Sequence, residues 1–254
     1  MTGPSTIHVQ RLANVDYVTL NRPEVRNAFN EHLIVEMTEW AERAAADSSL
    51  RAVVMSGAGP SFCAGADLAW MAKMAEYTEE ENLRDARAAA AMFAAIDTLP
   101  VPVVAQIHGA ALGGGAGLSA VADIAVEADD ATFGFTEVKL GLIPAVIAPY
   151  VLAKIGQSAA RELFVTGRRF DAAHAKDIGL VHAVVSAADL IDRVNKYLIE
   201  IATNGPEAMR AAKALVRRIA NLSIADAAPI TAKAIAERRV SDEAQALMKG
   251  FLKR

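Results

Sequence analysis

Apolar and polar positions alternate in Ile7-His8-Val9-Gln10-Arg11-Leu12 and again in Val15-Asp16-Tyr17-Val18-Thr19-Leu20. A period of two predicts two short strands with a turn at Ala13-Asn14. Asn21-Arg22-Pro23 stops the second strand. From Asn30 to Ala46 the period changes: Leu33, Ile34, Met37, Trp40 and Ala41 recur at helical spacing. Leu50 to Gly57 reads as a buried strand, Thr78 to Ile96 as a helix, and Val101 to Ile107 as another strand. A small-residue helix over Gly115–Ala122 and a strand over Asp123–Glu127 follow. Helical turns are predicted over Ala159–Phe164 and Ala172–Gly179, and a last strand over Val181–Val185. Strands alternating with helices predict an α/β domain with parallel pairing. After about Ala188 only helices are predicted, over Leu190–Thr203, Pro206–Ala220 and Ile224–Lys253. Pro206 suits the first turn of its helix. The pattern divides the chain into a core, 1–195, and a helical region, 196–254.

Composition narrows the class. Of 254 residues, 53% are hydrophobic and 22% charged, a balance that excludes intrinsic disorder. The net charge of −4 gives no general attraction to nucleic acid or an anionic membrane, so a phosphate-bearing partner must be held by local charges. Mean hydropathy is +0.23, high enough to raise the question of a membrane span. The uncharged stretch Leu99–Ala122 holds Pro100, Pro102, Gln106, His108 and five glycines, which excludes one lipid-facing helix. The first residues, MTGPSTIHVQR, lack the basic start and apolar run of a signal peptide. The single cysteine, Cys63, rules out an internal disulfide and fits a reducing, cytoplasmic compartment. The expected protein is soluble, with apolar surface to hide in an oligomer.

The glycine-rich stretch His108–Ala120 holds most of the chemical information. Gly115-Ala116-Gly117-Leu118-Ser119-Ala120 matches a dinucleotide fingerprint, but five residues separate Ile107 from Gly113, whereas that fingerprint follows its strand directly. Three successive glycines instead bring bare N–H groups to a helix start, where anions and polarised carbonyls bind. Ser61-Phe62-Cys63-Ala64-Gly65-Ala66-Asp67-Leu68 has the same character, small residues leading from a strand to a helix. Two such turns could each donate one N–H to a single oxygen and form an oxyanion hole, or each could be no more than a tight turn.

Together these segments resemble the crotonase, or enoyl-CoA hydratase/isomerase, family. The resemblance runs through Leu20-Asn21-Arg22-Pro23 with Arg26-Asn27-Ala28, Phe62 to Leu68, Leu99 to Ala105, Gly109 to Gly115, and Phe133 to Pro144. It implies a spiral ββα core, a C-terminal helical trimerisation region, and a homotrimer or a hexamer made of two trimers. It also implies that the N–H groups of Ala66 and Gly114 hold the thioester oxygen of an acyl-CoA. Two preorganised donors stabilise the enolate charge, and losing one costs ~2.7–4 kcal/mol of barrier. CoA arrives with the substrate, so no further cofactor is expected. Arg26 is implied near the CoA nucleotide and Lys253 at a neighbouring subunit's ligand, with solvated surface charge as the other reading of each. Ala64 and Asp67, through their backbone, and Leu68 beside them are implied to shape the adenine end of the site.

Proton movement at Cα and Cβ asks for a carboxylate beside the acyl chain. The family's hydratases share that task between two glutamates. This chain keeps one as Glu137 and has Gly117 at the position of the other. The combination of Gly117 with Pro144-Ala145-Val146-Ile147-Ala148-Pro149-Tyr150 resembles the methylglutaconyl-CoA hydratase subgroup. Removing a glutamate is expected to make room for a branched acyl chain and to remove a charge that would repel the chain's own carboxylate. The expected activity is hydration of an enoyl-CoA. A Δ3–Δ2 enoyl-CoA isomerase, which needs one carboxylate, and an acyl-CoA-binding paralogue with weak activity remain open. Asp123 reads as a structural carboxylate, Cys63 as a buried hydrophobe, and Trp70, Met71 and Met74 as either core or acyl-pocket wall. His8, His32, His108, His174 and His182 lack metal-ligand spacing, so no metal is expected; His108 lies nearest the glycine turn.

Overall fold

The computed structural model describes residues 5–252. A six-stranded sheet runs in the order β1-β2-β3-β4-β6-β9, built from β1 (Ile7–Leu12), β2 (Val15–Leu20), β3 (Ala52–Gly57), β4 (Val103–Ile107), β6 (Ile124–Ala128) and β9 (Ala183–Val185). Only the β1–β2 hairpin is antiparallel; the other neighbours are parallel. A second sheet has the order β5-β7-β8, from β5 (Ala110–Leu112), β7 (Thr132–Gly134) and β8 (Arg169–Asp171). Single parallel bridges, Cys63 with Ala111 and Phe29 with Ala66, extend this second layer toward the N-terminal segments. The chain therefore climbs as a spiral. Each pass contributes a strand to the large sheet, a short extended rung to the small layer, and then a helix.

The first helices are α1 (Glu31–Ala46), α2 (Leu68–Met74), α3 (Glu79–Asp97) and α4 (Gly114–Val121). They are followed by α5 (Ala148–Thr166), α6 (Ala172–Asp177), α7 (Leu190–Thr203), α8 (Pro206–Ile219), α9 (Ile224–Arg239) and α10 (Asp242–Phe251). α1 buries the stripe Leu33, Ile34, Met37, Trp40, Ala41 and Ala44 against the main core, and its N-cap Asn30 accepts from the Leu33 amide. The opposite face of the large sheet, with Val54, Val104 and Val126, packs on Leu190, Val194 and Ile201 of α7. Residue 195 lies in the middle of this helix. The sequence-based break at 195 thus falls inside α7, whose buried stripe packs on the large sheet.

Two further expectations change. The helix expected over Ile224–Lys253 is two, since Ser241 caps a new start by accepting from the Ala244 amide. The turns expected at Ala159–Phe164 are the end of the longer α5, whose backbone is broken at Gly156. Among the described residues, α8, α9 and α10 bury no side chain, and no helix is long and apolar enough to cross a membrane.

Candidate active site

Gly113 ends the β5 rung in a conformation with φ 50° and ψ −115°, which L side chains rarely adopt, and Gly114 begins α4. A similar device precedes Ala66, where Gly65 sits at φ 96°. Neither the Ala66 amide nor the Gly114 amide donates a hydrogen bond among the described residues, while their neighbours are engaged. Gly113 donates to Gly134 O at 2.8 Å, Phe29 donates to Gly65 O at 2.7 Å, and Asp67 donates to Phe29 O at 2.8 Å. Ala66 is exposed and Gly114 half-buried. The two turns are laced together, because Cys63 donates to Ala110 O and Leu112 donates to Cys63 O, each at 2.9 Å. The start of α4 adds the positive end of its dipole.

Glu137 reaches this place from β7. Phe133 stacks on Phe170 with ring centres 5.7 Å apart, and Phe135 meets Phe164 edge-on at 5.1 Å. These buried rings fix the segment, after which Glu137 opens a short helical turn to Leu140 closed by Gly141. Glu137 Oε1 lies 3.2 Å from the position a Cβ would take on Gly113, and Gly65 Cα lies 3.8 Å from that same position. The carboxyl therefore lies against the Gly113 turn, and the Gly65 turn approaches that same glycine. Its Oε2 is buried without a hydrogen-bond partner, and burial pushes its pKa above the usual carboxylate range.

Around Gly117 there is no open space. A Cβ there would overlap Ile147 Cγ2 and lie 3.0 Å from Ile147 Cβ and 3.1 Å from Phe93 Cε1. The room expected beside Gly117 is thus corrected: Ile147 and Phe93, both buried, already fill it. Phe29 presses on Gly114, its Cε2 2.8 Å from a Cβ position, and its ring centre is 6.0 Å from that of Phe93. The wall along this face of α4 is apolar. Periodicity gave no sign of Ile147, because it belongs to the irregular turn before α5; the sequence signal was the missing side chain at Gly117.

The other expected residues fall in several places. Arg26 is exposed, has no ion-pair partner among the described residues, and accepts at its carbonyl from the Ala64 amide. The Asp67 side chain is occupied, capping α2 through Ala69 and pairing with Arg22 Nη2 at 2.6 Å. Leu68 stands 83% exposed next to the free Ala66 amide. Lys253 lies outside the described residues. Trp70 and Met74 pack on the core. Cys63 is fully buried, and burial pushes its thiol up to about 12, which makes it inert. His108 Nε2 donates to Gly59 O at 2.8 Å. Asp123 accepts from the Val103 amide at 2.8 Å and from Lys213 at 2.6 Å, which ties α8 to β4. No group of three or more His, Cys, Asp or Glu side chains among the described residues could hold a metal ion.

Known proteins resemble this chain in sequence and fold. The family described as enoyl-CoA hydratase/isomerase matches residues 10–254. A Thermus thermophilus protein, provisionally assigned as an enoyl-CoA hydratase, is 32% identical over 241 residues, 95% of each chain. The crystal structure of a Legionella pneumophila protein, provisionally assigned as an enoyl-CoA hydratase/isomerase (crotonase), is 42% identical. It superposes with a TM-score of 0.93 over 99% of this chain and 97% of its own. An enoyl-CoA hydratase structure from Shewanella pealeana gives 0.94 at 34% identity, covering 98% of this chain and 93% of that one. With its spiral fold and its paired amide turns, the chain belongs to the enoyl-CoA hydratase/isomerase family of the crotonase superfamily.

Proposed function

We propose that this enzyme hydrates the 2,3 double bond of a branched enoyl-CoA that carries a second carboxylate, of the 3-methylglutaconyl-CoA kind. One observation carries the reading: Glu137 lies against the Gly113 turn, which the Gly65 turn also approaches, and Ile147 closes the position where a second carboxyl would stand. The amides of Ala66 and Gly114 receive the thioester oxygen and draw electron density from Cβ. Water then adds at Cβ, and the enolate that forms is held by the same two donors. Glu137, raised toward its acid form by burial, delivers the proton to Cα. At Gly117 the wall is Ile147 and Phe93, so the substrate's own carboxylate orients the water and takes the proton it releases, and exchange with solvent returns Glu137 to its acid form. CoA comes with the substrate. Its nucleotide lies toward Arg26, Ala64, Asp67 and Leu68, with Lys253 reaching a neighbouring subunit's ligand in a cytoplasmic trimer or dimer of trimers.

The same single carboxylate favours a second reading, proton shuttling between C2 and C4 of a 3-enoyl-CoA. Turnover in 18O-labelled water separates the two. Crotonyl-, 3-methylglutaconyl- and a 3-enoyl-CoA are supplied in parallel. The expected result is labelled oxygen in the hydroxyacyl product, with the highest kcat/KM for 3-methylglutaconyl-CoA. Conversion of the 3-enoyl substrate alone, without label, overturns hydration in favour of isomerisation.

A further inference from the structure

The donor at Ala66 belongs to a short loop of small residues, and a useful oxyanion donor must not move as charge develops. A built clamp surrounds it. Phe29 bridges the residues on either side, accepting from the Asp67 amide and donating to the Gly65 carbonyl, which leaves the Ala66 N–H free between two fixed points. Asp67 Oδ1 accepts from the Ala69 and Trp70 amides at 2.8 and 3.3 Å, while Oδ2 pairs with Arg22 Nη2 at 2.6 Å. Arg22 Nη1 donates to Ala28 O at 2.5 Å, so one guanidinium holds both the Asp67 turn and the segment leading to Phe29. That segment passes through Arg26 and Asn27, two non-glycine residues in the left-handed region at φ 53° and 56°. The fully buried Asn27 fixes this conformation. Its Oδ1 accepts from the Arg22 amide, and its Nδ2 donates to Ala58 O and Ser61 O, each at 2.8 Å. Burial alone would raise the Asp67 pKa, but the Arg22 pair and the α2 amides hold it below the usual carboxylate range.

We infer that Arg22, Asn27 and Asp67 are positioning residues, which act on the reaction by aiming the Ala66 N–H at the thioester oxygen. This rests on the oxyanion role proposed for Ala66 and is independent of whether the product is hydrated or isomerised. Arg22, although basic and close to the site, is committed to the clamp rather than to a phosphate; its side chain is 15% exposed.

The test uses the full-length enzyme and butyryl-CoA labelled with 13C at the carbonyl, whose infrared stretch reports hydrogen bonding to the thioester oxygen. Asp67→Asn keeps an acceptor for capping α2 but loses the ion pair, and Arg22→Gln removes the pair from the other side. In the unaltered enzyme the bound carbonyl should shift to lower frequency. In both variants the shift should shrink and kcat fall tenfold or more, with KM changed less than threefold. Arg22→Lys, which restores the charge but not the two-armed grip, should recover part of both. Folded variants that keep the full shift and kcat overturn the inference and leave the clamp a structural feature. No shift in the unaltered enzyme overturns the oxyanion assignment of Ala66 itself.

Discussion

Two carboxyls raised by burial, Glu137 and Glu127, meet different surroundings. Glu137 lies against the Gly113 turn, beside the start of α4. Glu127 shares the inner face of β6 with Ala125, is fully buried, and has no hydrogen-bond partner at either oxygen. Burial, reinforced by the nearby charge of Asp171, pushes its pKa up to about 9 from 4.5. A carboxyl that stays protonated in the folded chain but ionises in the unfolded one gives stability that is complete below pH 4.5 and is lost as pH rises toward 9. The slope is ~1.4 kcal/mol per pH unit inside that window. Glu127→Gln removes the slope, so its Tm relative to the unaltered chain should rise between pH 5 and pH 8. A constant difference across that range would contradict the neutral, buried state. At this scale Glu137 was legible because it stands in a motif with fixed spacing to the glycines. Glu127 was not, since one acid in an apolar strand carries no local mark of which face is sealed.

The contact of α4 with the turn before α5 explains how Gly117 is tolerated in the middle of a helix. Glycine there costs ~1 kcal/mol of helix propensity, and in return Ile147 packs directly on the helix backbone. Gly117→Glu alone should therefore misfit, with ~1–3 kcal/mol of overpacking and a further cost for a carboxylate facing Phe93 and Ile147. Adding Ile147→Ala should recover part of the lost Tm, as expected for two residues in contact. Purely additive effects in thermal melts of the two single variants and the double variant would show that the two positions do not share the space. Long periodic elements such as α1 and α3 were readable from the chain, and so was the β1–β2 hairpin. The three-residue strands β5, β7 and β8 were not, because they are too short for a period to declare itself. They exist through pairing between distant segments, as in Ala110–Leu112 with Thr132–Gly134. The break between α9 and α10 hid behind continuous helical composition, and only the Ser241 cap marks it.

Across the whole molecule, the spiral brings the Gly65 turn, the Gly113 turn and Glu137 near one another, each carried by a separate pass of the chain. No single segment holds the site, and so the ordered set of motifs, more than any one of them, made it legible. The outer helices have a different logic. Among the described residues none of their side chains is fully buried, although Met209 of α8 packs against the α7 side of the core, and they expose Val216 at 67%, Ile224 at 92% and Phe251 at 77%. A cleft of about 660 Å³ between Thr203 and α10, lined by Leu247, Met248 and Phe251, adds to this apolar surface. The excess hydrophobicity of the composition thus has two destinations, the sealed core and a face that a lone chain leaves wet. Sedimentation at micromolar concentration should find a trimer or hexamer, and a monomer would contradict the assembly proposed on this face. In the proposed reaction Glu137 is the carboxyl that moves the proton, and the Ala66 and Gly114 amides hold the oxygen. The most direct measurement is turnover of 3-methylglutaconyl-CoA by Glu137→Gln, alongside binding of butyryl-CoA to the same variant. The expected result is a loss of ~10²–10⁴-fold in kcat with butyryl-CoA affinity changed by less than threefold; a kcat within threefold of the unaltered enzyme would contradict the account.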